Sequence, residues 1–145
     1  MIKTTYEGEL NRKGRFIYTC SGVSMLPLLR QYKDLFIIEK KQGRCEKYDV
    51  VLYKRQPKSF VLHRVVAVRE RDYVILGDNC LNKEYGITDE DIIGVMTSFV
   101  RNGKEYSVSH HGYRMYTRVW YLLYPVRRIM MQCRNMCRRW VEKER

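Results

Sequence analysis

Between Arg15 and Ser109 the chain is written as short apolar runs cut off by turn-forming residues, a pattern that reads as strands. Arg15 to Cys20 is the first, stopped by Ser21-Gly22. Asp34 to Lys40, Asp49 to Lys54 and Phe60 to Val68 follow, and Tyr73 to Leu76 ends at Gly77-Asp78. Ile92 to Arg101 and Lys104 to Ser109 form a hairpin with Asn102-Gly103 at its tip, the preferred type I′ pair because both central positions need positive φ. Leu81 to Asp91 is polar and irregular and is expected to be a loop. From Gly112 the strand signals fade. Tyr113 to Tyr124 and Val126 to Glu142 read as two helices parted at Pro125, a residue suited to the first turn of the second. The expected fold class is mainly β: an antiparallel β domain over residues 1–111 and a basic helical tail over 112–145.

A length of 145 residues fits one compact domain with an appended element. Lys and Arg number 28 against 16 Asp and Glu, a net charge of +12. From Tyr113 onwards nine basic residues face only Glu142 and Glu144, so more than half of the excess lies in the tail. Such a surface favours an anionic partner. The five cysteines, Cys20, Cys45, Cys80, Cys133 and Cys137, are odd in number and form no CxxC pair. They are expected to be reduced and structural, which leans towards a reducing compartment, and no metal or cofactor is expected. Met1 to Lys13 lacks the apolar core of a secretory signal. No stretch approaches the roughly 18 apolar residues of a membrane span. The chain is therefore expected to lie on a membrane as a peripheral protein, or to be cytoplasmic, without crossing a bilayer.

Three short segments carry candidate chemistry. The first is Ser21-Gly22-Val23-Ser24-Met25-Leu26-Pro27, just past a strand. A serine nucleophile needs a base within reach and donors for the oxyanion. Ser24, with glycine on one side and proline on the other, can present both its Oγ and its N–H; read alone, the segment is also a loop of turn residues. The second is His63 in Val61-Leu62-His63-Arg64-Val65-Val66, either a structural strand histidine or a base suited to take a serine proton near neutral pH. The third is Leu76-Gly77-Asp78-Asn79, either a strand-ending turn or the seat of an acid that fixes the imidazole.

In this order, S-x-x-S-M-x-P, D-V-V-L-Y, L-H-R-V-V and L-G-D-N resemble the type I signal peptidase family, over about Cys20 to Val95. The histidine before Arg-Val-Val is similar to the archaeal and eukaryotic-reticulum branch, where bacterial members carry lysine. LexA-like self-cleaving repressors share the fold and the Ser-Met box. The resemblance implies a signal-peptidase/LexA-like coiled β fold with Ser24 as nucleophile and His63 as general base. It implies that Ser24 N–H donates to the oxyanion, Met25 lines the substrate groove and Pro27 sets the turn. Ser21 falls where a second oxyanion donor would stand, although Val23 intervenes and brings the spacing closer to the LexA-like group. Asp78 is the preferred acid for His63, and Glu84, where the family has a second Asp, is the alternative. The implied activity is a serine endopeptidase that cleaves signal-like or leader peptides after small residues, the peptide adding a strand to the groove. Two alternatives share the fold: a non-catalytic peptide-binding or regulatory module, and a self-processing peptidase.

The tail interleaves Arg114, Arg118, Arg127, Arg128, Arg134, Arg138 and Arg139 with Trp, Tyr, Leu, Ile and Met. It reads as an interfacial helix for an anionic membrane, or as a helix packed on the β domain with its arginines in water. No nucleic-acid partner is expected, because neither a zinc finger nor a clear helix-turn-helix is present.

Overall fold

The computed structural model describes residues 6–55 and 59–143. Met1 to Thr5 of the polar N-terminus and the last two residues of the 112–145 tail lie outside the described residues. Helix α1 (Tyr6–Lys13) precedes eight strands: β1 (Arg15–Thr19), β2 (Leu35–Lys40), β3 (Val50–Arg55), β4 (Ser59–Val68), β5 (Tyr73–Leu76), β6 (Glu84–Ile87), β7 (Ile92–Arg101) and β8 (Lys104–Ser107). Helices α2 (His111–Leu122) and α3 (Tyr124–Lys143) follow. The fold is a mainly antiparallel β sheet with C-terminal helices. Every expected strand is present. Two elements go beyond expectation: α1, built from a polar segment that buries only Leu10, and β6, inside the expected loop.

The strands run in the order β1-β2-β7-β3-β4-β5-β6, all neighbours antiparallel. β7 is the hinge of the sheet. One edge pairs β2; the other pairs β3 near Val95 and then β8 from Ser98 to Arg101. At the β7–β8 tip, Asn102 and Gly103 have φ of 52° and 77°, the left-handed pair a type I′ turn demands.

β3 is buried on both faces, which explains its unbroken Val50-Val51-Leu52-Tyr53 run. Val50 and Leu52 join the larger core with Phe16, Met25, Ile38 and Met96, while Val51 and Tyr53 face a second core with Val65, Tyr73 and Ile75. The β3–β4 register sets His63 opposite Val51 and Arg64 opposite Val50. Successive side chains of a strand point to opposite faces, so the two residues leave the sheet in opposite directions.

Arg64 enters the space under the C-terminal helices, where it meets Asp78. Nε donates to Oδ1 at 2.7 Å and Nη2 to Oδ2 at 2.8 Å, and both side chains are only 2% exposed. Burial disfavours the guanidinium, but the Asp78 carboxylate outweighs it and raises its pKa. The helices close on this pair. Arg64 Nη1 donates to Tyr113 Oη at 3.2 Å, and Tyr116 Oη donates to Asp78 Oδ2 at 2.9 Å. Trp120 Nε1 and Arg127 Nη1 both donate to the Asp78 carbonyl, at 2.9 and 2.6 Å. Arg127 also lies 4.0 Å over the Trp120 ring.

Breaking a buried pair strands a charge, so Arg64→Met should lower unfolding free energy by about 3–5 kcal/mol in denaturant titration. Adding Asp78→Leu should restore part of that loss. A single variant as stable as the parent would refute the role of the pair.

Candidate active site

Ser24 sits in the loop between β1 and β2, and several hydrogen bonds hold that loop in shape. Leu29 N donates to Met25 O at 2.9 Å and Tyr32 N to Cys20 O at 2.9 Å. At its far end Asp34, fully buried, accepts from Arg30 N and from the Arg30 and Arg101 side chains, and Arg101 Nη2 also donates to Leu28 O at 2.8 Å. Burial acts to raise the Asp34 carboxyl, but the hydrogen bonds from Arg30 and Arg101 outweigh it and hold it well below the usual carboxylate range. Met25 anchors the loop from within. Its side chain is fully buried in the larger core, so it supports Ser24 from below and does not line the groove as expected. Pro27 is exposed at the turn, follows a cis peptide and accepts from Arg101 Nη2 through its carbonyl.

A cleft of about 830 Å³ brings Ser24 and His63 together, with Ser21 on its rim. Its floor and walls include Leu52, Leu62, Phe16 and Phe60, and Met131 reaches in from α3. The loop after β5 closes the end beside the serine: Asn79 N donates to Ser24 O at 2.8 Å and Asn79 Nδ2 to Val23 O at 3.1 Å. Gly77 makes the close approach feasible. A Cβ at that position would lie 2.9 Å from both His63 Nε2 and Ser24 O, and 2.6 Å from Cys80 Sγ. His63 Nε2 therefore stands within twice 2.9 Å of the serine's carbonyl oxygen, across a gap that only glycine leaves open. Among the described residues no hydrogen bond joins Ser24 Oγ to His63.

The other imidazole nitrogen has a carboxylate and a phenol beside it. His63 Nδ1 lies 3.3 Å from Glu84 Oε1 and 3.3 Å from Tyr53 Oη. Asp78, preferred from the sequence, is committed elsewhere: its oxygens accept from Arg64 and Tyr116 on the opposite face of β4. Glu84 reaches His63 because β6 pairs β5, with Glu84 opposite Ile75. It is fixed by Arg55, whose Nε donates to Oε2 at 3.1 Å. Burial raises the Glu84 carboxyl, yet hydrogen bonds from Arg55 and Tyr53 prevail and keep it below its ordinary value. Burial lowers the His63 pKa; the Glu84 charge opposes this and Arg55 assists it. The imidazole is thus neutral at physiological pH. In the tautomer that carries its proton on Nδ1, beside Glu84 and Tyr53, the Nε2 lone pair is left for the side of Gly77 and the Ser24 carbonyl.

Tyr53, Arg55, Asn79 and Cys80 belong to the site without having been singled out from the sequence. Tyr53 and Asn79 do lie in the D-V-V-L-Y and L-G-D-N boxes, and strand alternation puts Val51, Tyr53 and Arg55 on one side. Cys80 also lines the cleft, but burial and the Glu84 charge raise its thiol, leaving it protonated near neutral pH. Among the described residues no group of three or more His, Cys, Asp and Glu is placed to hold a metal ion.

Filling the gap at Gly77 forces His63 or the Ser24 carbonyl to move. Gly77→Ala should therefore displace the imidazole, read as a changed His63 titration by NMR. An unchanged His63 titration would contradict the geometry. No family model and no curated protein matches this chain, so its function is argued from the arrangement above.

Proposed function

We propose that the chain is a serine endopeptidase of signal-peptidase type, acting on extended peptides through Ser24, His63 and Glu84. The observation that carries this reading is the shared cleft, in which His63 turns Nε2 towards the serine loop and Nδ1 towards Glu84. In the first step Nε2 takes the Ser24 Oγ proton as Oγ attacks the scissile carbonyl. The Ser24 N–H, which donates to no acceptor among the described residues, is available to the oxyanion. The tetrahedral adduct collapses, the C–N bond breaks, and the departing amine receives the proton from His63. Water then enters, gives a proton to Nε2 and releases the acyl group, regenerating the Ser24 hydroxyl.

The strand edges favour a peptide substrate. Among the described residues β1 pairs only β2, and the Ser59–His63 half of β4 pairs only β3, because β5 begins its pairing at Arg64. Both open edges border the cleft. An extended chain can therefore bond its backbone to an unpaired edge, next to the serine. Precursor or leader peptides with small residues before the scissile bond are the substrate class implied by the family resemblance.

Incubating the protein with signal-like and leader-like peptides, and reading products by mass spectrometry, tests the assignment. Ser24→Ala should abolish turnover and Cys80→Ala should keep it; the reverse pattern would move the nucleophile to the thiol. The acid limb of kcat/KM should lie below pH ~6.5, the ordinary imidazole value, because the base works neutral and its pKa is lowered. Glu84→Gln removes the charge that favours imidazolium. It should shift that limb to still lower pH and cut kcat by ~100-fold or more. A limb that rose, or a kcat unaffected, would remove Glu84 from the mechanism.

A further inference from the structure

Beyond the peptidase cleft, the least explained surface of the molecule lies where α2 turns into α3. α2 packs through Tyr113, Tyr116 and the buried Thr117, but Met115, Val119 and Leu122, at helical spacing on its outer side, are exposed. α3 continues this apolar surface. Val126, Ile129, Cys133, Met136 and Trp140 recur at intervals of three and four, so they share one face, and every one of them is exposed. Leu122 is 78% and Trp140 72% exposed. No helix among the described residues is long and apolar enough to cross a membrane.

Beside this apolar face lies a groove of about 960 Å³, to which Lys47, Lys83, Arg118 and Arg128 contribute. None of the four has a carboxylate partner among the described residues. The lysines are held over aromatic rings instead. Lys47 Nζ lies 5.2 Å from the Tyr121 ring centre, and Lys83 Nζ lies 5.2 Å from that of Tyr124. Cation–π contact positions an ammonium without neutralising it. Along α3 the polar side carries Arg134, Arg138, Arg139 and Lys143 against a single described acid, Glu142.

We infer that this corner is a docking surface for an anionic phospholipid bilayer. Val119, Leu122 and Ile129 enter the acyl boundary, α3 lies along the interface on its apolar face, and the four cations of the groove receive lipid phosphates. Charge complementarity selects this occupant. A second copy of the chain would set one cationic flank against another. A nucleic acid would meet the cations but would leave the aliphatic stripe in water, and the Tyr121 and Tyr124 faces it would stack on are already covered by lysines. A bilayer supplies apolar interior and anionic headgroups within one continuous surface.

Sedimentation of the full chain with vesicles of phosphatidylcholine alone, and of phosphatidylcholine mixed with phosphatidylglycerol, tests the inference. Partition into the mixed vesicles should be ~10-fold or more stronger and should weaken with added salt. Trp140 emission should shift to the blue on binding, and Trp140→Phe should remove that shift. Lys47→Glu with Arg118→Glu, and separately Leu122→Asp with Ile129→Asp, should each reduce partition ~10-fold while circular dichroism stays that of the parent. Four results would overturn the inference: equal binding to neutral vesicles, insensitivity to both variant pairs, tighter retention of an oligonucleotide, or an apolar pair that merely splits a dimer. No peptide substrate enters this measurement, so its failure and that of the peptidase reading are separately visible.

Discussion

The Arg64–Asp78 ion pair is the contact on which the rest of the arrangement hangs. It lies at 2% exposure beneath two helices, and a buried charge pair tolerates such a place only when its remaining hydrogen-bonding capacity is met. Here Tyr48 O and Tyr113 take up the guanidinium, while Tyr116 serves the carboxylate. Both tyrosines come from α2, Tyr113 accepting from the guanidinium and Tyr116 donating to the carboxylate, while Tyr48 O comes from the turn before β3. Satisfying the pair therefore requires the helix to dock, and docking the helix requires the pair. Asp78 also offers its carbonyl to Trp120 and Arg127, which draws the start of α3 into the same knot.

From that knot the chain leads directly to the serine. Asp78 is flanked by Gly77, whose missing side chain makes room beside His63, and by Asn79, which holds the Ser24 carbonyl. Three consecutive residues thus serve three different elements: the imidazole, the helices and the Ser24 loop. Rigid positioning of this kind is what the proposed serine chemistry would ask for, since Oγ, base and oxyanion donor must meet within fractions of an ångström. The second charge cluster, Asp34 with Arg30 and Arg101, performs the same service at the other end of the loop.

Much of this was legible in the residues. Short apolar runs between turn signals located every expected strand, and Asn102-Gly103 announced its hairpin because only a few residue pairs accept two positive φ angles. The Ser24 and His63 boxes marked residues that the fold brings to one cleft. What escaped the sequence depends on pairing between distant segments. Glu84 becomes His63's neighbour only because a four-residue strand forms in a polar stretch and lies against β5. Asp78 looked like the natural acid from its place just past a strand end, but the turn after β5 sets it against Arg64. Met25 reads as a groove residue in the Ser-Met box and is instead core, because the loop turns inward one residue after the serine. α1 gave almost no periodic signal, having a single buried residue.

The alternation of β4 has a consequence for how this chain can change over generations. His63 and Arg64 are neighbours with opposite duties, one facing the cleft and the other the helix clamp. Substitutions at other positions act on one duty or the other. A one-residue insertion or deletion within β4 ahead of the pair acts on both at once, because it turns the histidine towards Asp78 and the arginine into the cleft. The length of this strand is therefore under a stricter constraint than its composition, and loops rather than β4 are where the lineage has freedom to gain or lose residues.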